Sequence, residues 1–173
     1  YDNVSNSTYE FSSENIKNNL GISADFVVTG SPSDTTPPLI ESVDLSKYVF
    51  DISNSDAIFD VTALFTDDLS GISGSEPGDY GYSYLRWESP SGEQTVWATL
   101  DDGIISNNNY TFTEEVILPQ YSETGTWTLE NVIVYDNVSN STYEFSSENI
   151  KNNLGISADF VVTGSPSDTT PPL

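Results

Sequence analysis

The sequence predicts an all-β fold, an antiparallel β-sandwich with one short helical insertion. The first observation is alternation: Phe59, Val61, Ala63 and Phe65 are separated by mostly polar residues, which is typical of a strand with one buried face. The second is spacing, because short alternating segments recur between clusters of turn-forming residues. The third is the number of rings. With 10 Tyr, 8 Phe and 3 Trp, a chain of only 36% hydrophobic residues can still form a packed core.

The strand after Phe59–Phe65 is predicted to carry aromatic residues on both faces. Leu85 and Trp87 fall on its inner face. Its outer face carries four side chains: Tyr80, Tyr82, Tyr84 and Arg86. Residues 95–100 form a further short strand, so the middle of the chain supplies at least three strands of the sandwich.

The second half of the chain continues the same pattern. Four residues predict a strand with a bulge near Glu114 and Glu115: Tyr110, Phe112, Val116 and Leu118. Three apolar residues are expected on the inner face of the following strand: Trp127, Leu129 and Ile133. Residues 158–163 form the last strand.

One helix is predicted at residues 147–154. A serine at its start supplies the cap oxygen, Ile150 and Leu154 share one face, and Gly155 can end the helix in the left-handed conformation. A run of strands with this single insertion, and with Trp87 inside the third strand, indicates an immunoglobulin-like sandwich.

Composition excludes several kinds of chemistry. The 173 residues include 27 Asp or Glu, 4 Lys or Arg and no His, Cys or Met, for a net charge of −23. Without imidazole or thiolate we expect no ordinary zinc, haem or iron–sulfur site and no Cys–His nucleophile. The negative charge makes nucleic acid a poor partner. No apolar run approaches the roughly 20 residues of a membrane span, so we expect no membrane insertion.

A 39-residue sequence occurs twice in the chain. Residues 1–39 and 135–173 are identical letter for letter, which sets a period of 134 residues. The Pro/Ser/Thr-rich stretch in each copy is typical of a short, stiff linker. We therefore divide the chain into the end of a preceding identical repeat, a linker, one complete immunoglobulin-like repeat and a linker to the next repeat: residues 1–30, 31–38, 39–164 and 165–173.

This repetition predicts the partners of the chain. One period, residues 40–173, carries 22 acidic and 3 basic residues, so identical neighbours in a tandem array repel one another unless cations lie between them. Residues 24–29 form a strand whose sandwich is missing from the chain. We expect that strand to pair outside the chain, either within a longer array or by strand donation to a neighbouring subunit in a homopolymer.

Four segments, in this order, resemble the immunoglobulin-like repeats of very large bacterial surface proteins, including cyanobacterial and marine adhesins of the RTX type: DTTPPLIESVDLS, TDDLSGIS, RWESPSGEQ and LPQYSETGTWTLENVIVYDNVSN. The resemblance implies a stalk or extender module that is exported to the cell surface and often stiffened by Ca²⁺. The nonapeptide repeat of RTX proteins is absent from this sequence.

Oxygen ligands are the main chemical resource of the sequence. In an immunoglobulin-like order, the loops after the second and sixth strands and the incoming linker lie at one end of the domain. Ca²⁺ takes 6–8 oxygen ligands. We predict a Ca²⁺ site at the junction between repeats from six residues: Asp34, Asp67, Asp68, Asp136, Asn137 and Asp168. The alternative is that these residues only form turns, with Asp capping its own turn. Weaker candidates are Asp101 with Asp102, and Glu76 with Asp79.

Other functions are open but less favoured by the sequence. A carbohydrate- or surface-binding module could use the exposed rings of Tyr80, Tyr82, Tyr84 and Trp97, although such rings also stabilise exposed strands by cross-strand pairing. We expect no enzyme, because adjacent Glu114 and Glu115 point to opposite faces of a strand and cannot act as a catalytic pair. An amide cross-link between Lys47 and Asn131 is a further hypothesis, with a solvated Lys and a hydrogen-bonded Asn as its alternative.

Overall fold

The structure is a computed structural model that describes residues 12–23, 25–30, 32–73, 82–101, 103–106 and 109–164. The chain divides into two compact units, Tyr1–Ser33 and Asp34–Leu173. In its described part, the first unit contains one α-helical turn, α1 (Ser13–Asn15), which continues as a π-helix (Ile16–Leu20).

The second unit is an all-β sandwich, as the sequence predicts. Its described residues form ten strands and a second helical segment, α2 (Ser147–Asn149), which continues as a π-helix (Ile150–Leu154). The strands are β1 (Leu39–Leu45), β2 (Val49–Asp51), β3 (Ala57–Thr66), β4 (Tyr84–Glu88), β5 (Thr95–Thr99), β6 (Ile104–Ser106), β7 (Asn109–Leu118), β8 (Gly125–Tyr135), β9 (Ser141–Phe145) and β10 (Phe160–Thr163).

Two sheets pack face to face in the second unit. The first has the order β1-β3-β7-β6, and the second has the order β2-β10-β8-β4-β5, with β9 also paired to β8. This is the strand order of an immunoglobulin-like sandwich. All pairs are antiparallel except β2 with β10, because the chain crosses from the first sheet to the second between β1 and β2 without reversing direction.

The helical insertion interrupts the last strand of the sandwich. β9 pairs with the C-terminal half of β8, and β10 pairs with the N-terminal end of β8. Between them, the Ser146 side chain caps α2 by accepting from the Asn149 backbone N–H, Ile150 is buried in the core, and Gly155 ends the segment at φ 71°. The predicted helix is confirmed. No helix among the described residues has the length and apolar character needed to cross a membrane.

The predicted bulge in β7 is wrong. β7 pairs with β3 in an unbroken register in which Glu114 lies opposite Val61. Alternation then places Glu114 on the same face as the buried Phe112 and Val116, where it is half-buried. A single carboxylate at an inward position interrupts the apolar alternation of the sequence, but the strand pairing continues through it without a bulge.

A bulge occurs in β8 instead. Arg86 pairs with Asn131, but the next residue of β4, Trp87, pairs with Leu129. The extra residue reverses the alternation beyond it, so Val132 is buried and Ile133 lies on the outer face. The prediction of an inward Ile133 is therefore wrong. Asn131 pairs with Arg86 and is buried, with 6% of its surface exposed.

Aromatic rings fill the centre of the core. The Phe160 ring stacks on Trp127 at a centroid distance of 5.8 Å and meets Phe50 edge-on at 5.3 Å. Phe59 lies 5.4 Å away on the opposite sheet. Trp87 is fully buried, as predicted, and its indole Nε1 donates to the Ala158 carbonyl oxygen at 2.7 Å. The Phe160 ring of the last strand thus contacts rings of both sheets.

Glu114 leads to a pH-dependent prediction. Burial raises the pKa of its carboxyl above the ordinary value of 4.5, and the charges of Asp101 and Glu115 raise it further. A raised acid pKa means that the charged form of Glu114 favours the unfolded state, so the contribution of Glu114 to stability falls as pH rises from 4.5 through its folded-state pKa. We expect Glu114→Gln to raise the melting temperature near neutral pH. The free energy of unfolding should rise by less than about 0.5 kcal/mol, because the side chain stays partly exposed.

The check is calorimetric melting of both proteins near neutral pH and below pH 4.5, where the gain should disappear. Glu93→Gln is the matched control, because Glu93 is exposed and its charge does not act on Glu114. A gain of equal size at both pH values would contradict the electrostatic explanation.

Candidate metal centre

Three segments meet at one end of the second unit: the linker before β1, the loop after β3 and the loop between β8 and β9. Ile72 forms a β-bridge with Asp136, and the Asn137 backbone N–H donates to the Gly71 carbonyl at 2.9 Å. The Thr142 hydroxyl donates to the Pro38 carbonyl at 2.5 Å, which holds the linker beside β9.

Three carboxylates converge where these segments meet. Asp34 from the linker and Asp67 and Asp68 from the loop after β3 each place one carboxylate oxygen within 4.8 Å of the others. We refer to these three residues as the acidic cluster. Carboxylates this close repel one another, and a cation among them would reduce that repulsion.

Asp67 is the most buried member of the acidic cluster, with 7% of its surface exposed. Its Oδ1 accepts from the backbone N–H groups of Leu69 at 3.1 Å and Gly71 at 2.5 Å, which orders the loop directly after β3. Its Oδ2 is buried and has no hydrogen-bond partner in the structure. A buried carboxylate oxygen without a partner is costly, so this atom points to a ligand.

Asp34 ties the linker to that loop. Its Oδ1 accepts from the Thr36 backbone N–H at 3.1 Å, and its Oδ2 accepts from the Ser70 backbone N–H at 2.8 Å. The pKa of Asp34 is lowered, mainly by the nearby Ser70 hydroxyl, although that oxygen lies outside hydrogen-bond geometry, and further by the two N–H donors. Asp34 is therefore ionised at neutral pH and suited to bind a cation.

Asp68 lies on the open side of the acidic cluster. It is exposed, and its Oδ2 accepts from the Thr36 hydroxyl at 3.1 Å. An open groove of about 180 Å³ lies beside it and is lined by Thr36, Pro37, Leu39, Thr66, Asp67 and Asp68. A cation bound here could complete its coordination with water from this groove.

The basic residues of the chain lie elsewhere. Lys17 pairs with Asp25, Arg86 with Glu88, and Lys151 with Asp159. Lys47 lies over the Phe50 ring and near Asp51. The described residues thus show no lysine or arginine that pairs with the acidic cluster, and its charge is available to an external cation.

Asp136 and Asn137 have hydrogen bonds within the loops. The fully buried Asp136 accepts from the backbone N–H groups of Val138 at 2.9 Å and Asn140 at 2.7 Å, in the manner of a turn-capping Asp. The Asn137 amide donates to the Ser70 carbonyl at 2.9 Å. Neither residue belongs to the acidic cluster. Asp168, the sixth predicted ligand, lies outside the described residues.

Asn140 joins the carboxylates of Asp136 and Asp34, and the sequence prediction did not include it. Its Nδ2 donates to Asp136 Oδ2 at 2.6 Å and, at 3.5 Å, to Asp34 Oδ1. The available signal was the spacing in DNVSN, where an Asn four residues after an Asp can close the same turn.

Gly71 is required where the loops touch. Its φ is 85°, and a Cβ at this position would collide with the Tyr110 hydroxyl and approach the Asn137 amide nitrogen to 3.3 Å. Only glycine allows both the left-handed turn and the close approach of the two loops.

The weaker candidate sites are partly described. Asp101 acts electrostatically on Glu114, while Asp102, Glu76 and Asp79 lie outside the described residues, as does Tyr80. On the outer face of the second sheet, the Tyr84 and Trp97 rings are tilted by 56° at 4.9 Å, and the Arg86 guanidinium lies 5.4 Å from the Trp97 ring centre.

These rings pack against one another across β4 and β5, in the manner of a cross-strand ladder. The functional interpretation of the unit therefore depends on the acidic cluster and on the duplicated sequence. No protein-family model and no curated protein matches the chain.

Proposed function

We propose that the chain is a non-catalytic structural repeat of a bacterial extracellular or cell-surface fibre, in which identical β-sandwich units follow one another and Ca²⁺ binds where each linker joins its unit. The duplicated 39-residue sequence and the resemblance to surface-adhesin repeats support the tandem arrangement. The observation that carries the proposal is the acidic cluster, because it combines one linker carboxylate with two carboxylates of the adjoining sandwich.

The chemistry of the cluster favours Ca²⁺ among common cations. Its ligands are oxygen atoms from three carboxylates of the linker and one loop, and hard cations prefer such ligands. Ca²⁺ tolerates irregular geometry and a coordination number of 6–8, whereas Mg²⁺ demands a near-ideal octahedron. The buried Oδ2 of Asp67 would gain the partner that the protein does not provide.

A bound cation would act mechanically. Asp34 lies five positions before β1, so a bond from Asp34 to the cation restrains the direction in which the linker leaves the sandwich. Asp168 is the counterpart of Asp34 in the second copy of the sequence, so every junction of an array would contain the same linker carboxylate. Neutralising these charges also reduces repulsion between acidic neighbours.

The first test measures the melting temperature of the chain with Ca²⁺ and with a chelator. Binding to the folded state alone stabilises it by about 2.7 kcal/mol at a free Ca²⁺ concentration of roughly 100 times Kd. We expect Asp68→Asn to remove most of this increment. In chelator it should leave the melting temperature unchanged or slightly raised, because Asp68 is exposed and loses only its repulsion with Asp34 and Asp67.

Asp44→Asn is the matched control, since Asp44 is an exposed acid on β1 outside the acidic cluster, and its Ca²⁺ increment should equal that of the wild type. A wild-type chain whose melting temperature is the same with Ca²⁺ and with chelator would refute the calcium proposal. Small-angle scattering of two tandem units should then separate stiffness from stability, with Ca²⁺ narrowing the distribution of unit-to-unit distances.

A carbohydrate-binding function remains the alternative for the aromatic face. The exposed Tyr82 favours it, whereas the tilt of Tyr84 against Trp97 and the Arg86 group beside Trp97 favour strand stabilisation. Binding to a broad glycan panel that is lost in Tyr82→Ala would support the alternative.

A further inference from the structure

One sequence occurs in two different environments within this chain. Residues 12–30 are identical to residues 146–164. In the second unit, Phe160 and Val162 are each only 1% exposed. Their counterparts, Phe26 and Val28, are 84% and 82% exposed, and residues 25–29 form no strand. The structure therefore shows the same segment twice, once packed in the sandwich as a strand and once exposed without a strand partner.

The helical part of the segment forms in both copies. Ser12 caps α1 by accepting from the Asn15 backbone N–H, as Ser146 does for α2. The left-handed residue that ends the π-helix has φ 65° at Gly21 and 71° at Gly155. Local interactions are thus sufficient for the helix, which forms whether or not the strand after it is paired.

The strand needs two neighbours that the helix does not. In the second unit, β10 lies between β2, with which it is parallel, and β8, with which it is antiparallel. Val161 N–H donates to the Tyr48 carbonyl, and the Ile52 N–H donates to the Thr163 carbonyl, both at 2.9 Å. We call the space between β2 and β8 the strand slot.

We propose that residues 12–30 are an interchangeable last-strand module that docks in the strand slot of a second copy of the unit. Sequence identity is the argument for this occupant: every side chain that fills the slot from β10 has its equal in Phe26–Thr29. Phe26 takes the place of Phe160 among Trp127, Phe50 and Phe59. This proposal rests on the duplicated sequence and does not require Ca²⁺.

Competition determines when the docking is seen. In an intact unit, the strand slot is filled by β10 of the same chain, which has the advantage of a high effective concentration. A module from a second molecule can dock only where β10 has left the slot, as in strand addition and domain swapping. The association is therefore concealed in dilute wild-type protein and revealed by a change that expels β10.

The test uses the full 173-residue chain with Phe160→Asp and Val162→Asp, kept in chelator. Each substitution buries a carboxylate in the core, so β10 should leave the strand slot. We expect this open-slot chain to associate head to tail as concentration rises, with sedimentation giving a growing mass. The near-ultraviolet circular dichroism of Trp87 and Trp127 should recover in parallel, because the core is rebuilt by the module of another molecule.

Two further substitutions in the open-slot chain supply the controls. Phe26→Asp should abolish both the association and the recovered spectrum. Val27→Thr should leave both unchanged, since its counterpart Val161 points away from the core and is 38% exposed. Because these changes lie in the first unit, they leave the sandwich sequence untouched.

A peptide of residues 12–30 provides an independent measurement. Added to the open-slot chain that carries Phe26→Asp, it should restore the tryptophan spectrum in a saturable manner. The same peptide with Phe26→Asp should bind on the order of 100-fold more weakly or not at all.

The proposal is overturned by an open-slot chain that stays monomeric at every concentration and does not respond to the peptide. It is equally overturned by an association that survives Phe26→Asp, since that would be non-specific aggregation. Neither outcome bears on Ca²⁺ binding, which is measured on the wild-type chain.

Discussion

Phe160→Ala should destabilise the second unit by about 3–5 kcal/mol, the range observed for removal of a buried aromatic ring. Phe160 contacts Trp127 and Phe50 of its own sheet, at centroid distances of 5.8 Å and 5.3 Å, and Phe59 of the opposite sheet at 5.4 Å. Its loss leaves a cavity among buried aromatic rings. For a domain of this size the melting temperature should fall on the order of 10–20 °C.

Phe26→Ala is the matched control for that substitution. The two residues have identical sequence neighbours for many positions on either side, but Phe26 is exposed and Phe160 is buried. We expect a change below about 0.5 kcal/mol for Phe26→Ala in dilute protein. Equal losses from the two substitutions, measured by urea unfolding followed by tryptophan fluorescence, would contradict the packing described for the two copies.

Asp136→Ala should cost roughly 3 kcal/mol whether or not Ca²⁺ is present. The substitution removes the acceptor of the Val138 and Asn140 backbone N–H groups and of the Asn140 amide, and these donors lie in a partly buried turn. Hydrogen bonds to a charged acceptor contribute about 1.5–3 kcal/mol each, and the freed donors regain water only in part.

The measurement compares the melting of Asp136→Ala and Asp68→Asn, each with Ca²⁺ and with chelator. Asp136→Ala should lower the melting temperature equally in Ca²⁺ and in chelator, because its carboxylate holds the turn. Asp68→Asn should lower the melting temperature only in Ca²⁺. Asn137→Ala, which removes a single amide hydrogen bond to Ser70, should cost only about 0.5–1.5 kcal/mol. A loss in Asp136→Ala that appears only with Ca²⁺ would place Asp136 among the ligands.

The candidate site could be predicted in part from the fold order. Knowing that the linker and two loops share one end was sufficient to select Asp34, Asp67 and Asp68. It was insufficient to separate ligand candidates from turn-forming residues, because Asp68 and Asp136 have similar Asp-rich, turn-like surroundings in the sequence. Asp67 and Asp136 each accept from the backbone N–H groups two and four residues later, so that turn does not distinguish them. What distinguishes them is which carboxylates the folded loops bring together, and only Asp67 lies beside Asp34 and Asp68.

The strands illustrate a similar limit. Alternation identified β3 and the inward Trp87 because each buried residue there is apolar. It failed at Glu114, an acid at an inward position, and at Ile133, which a bulge in β8 moves to the outer face. A bulge changes which residues of two strands pair with each other. It therefore cannot be detected from the alternation of apolar residues along one strand.

Sequence by itself determined the all-β class, the helix with its serine cap and the period of 134 residues, since these depend on local alternation, capping and identity. Only the tertiary structure decided whether the segment around Phe26, or its copy around Phe160, forms a strand. The helical part of the repeated sequence folds in both copies. The part that follows it forms a strand only in the second copy, where it lies between β2 and β8. A helix satisfies its hydrogen bonds within itself, whereas a strand must find them, and its buried face, on its neighbours.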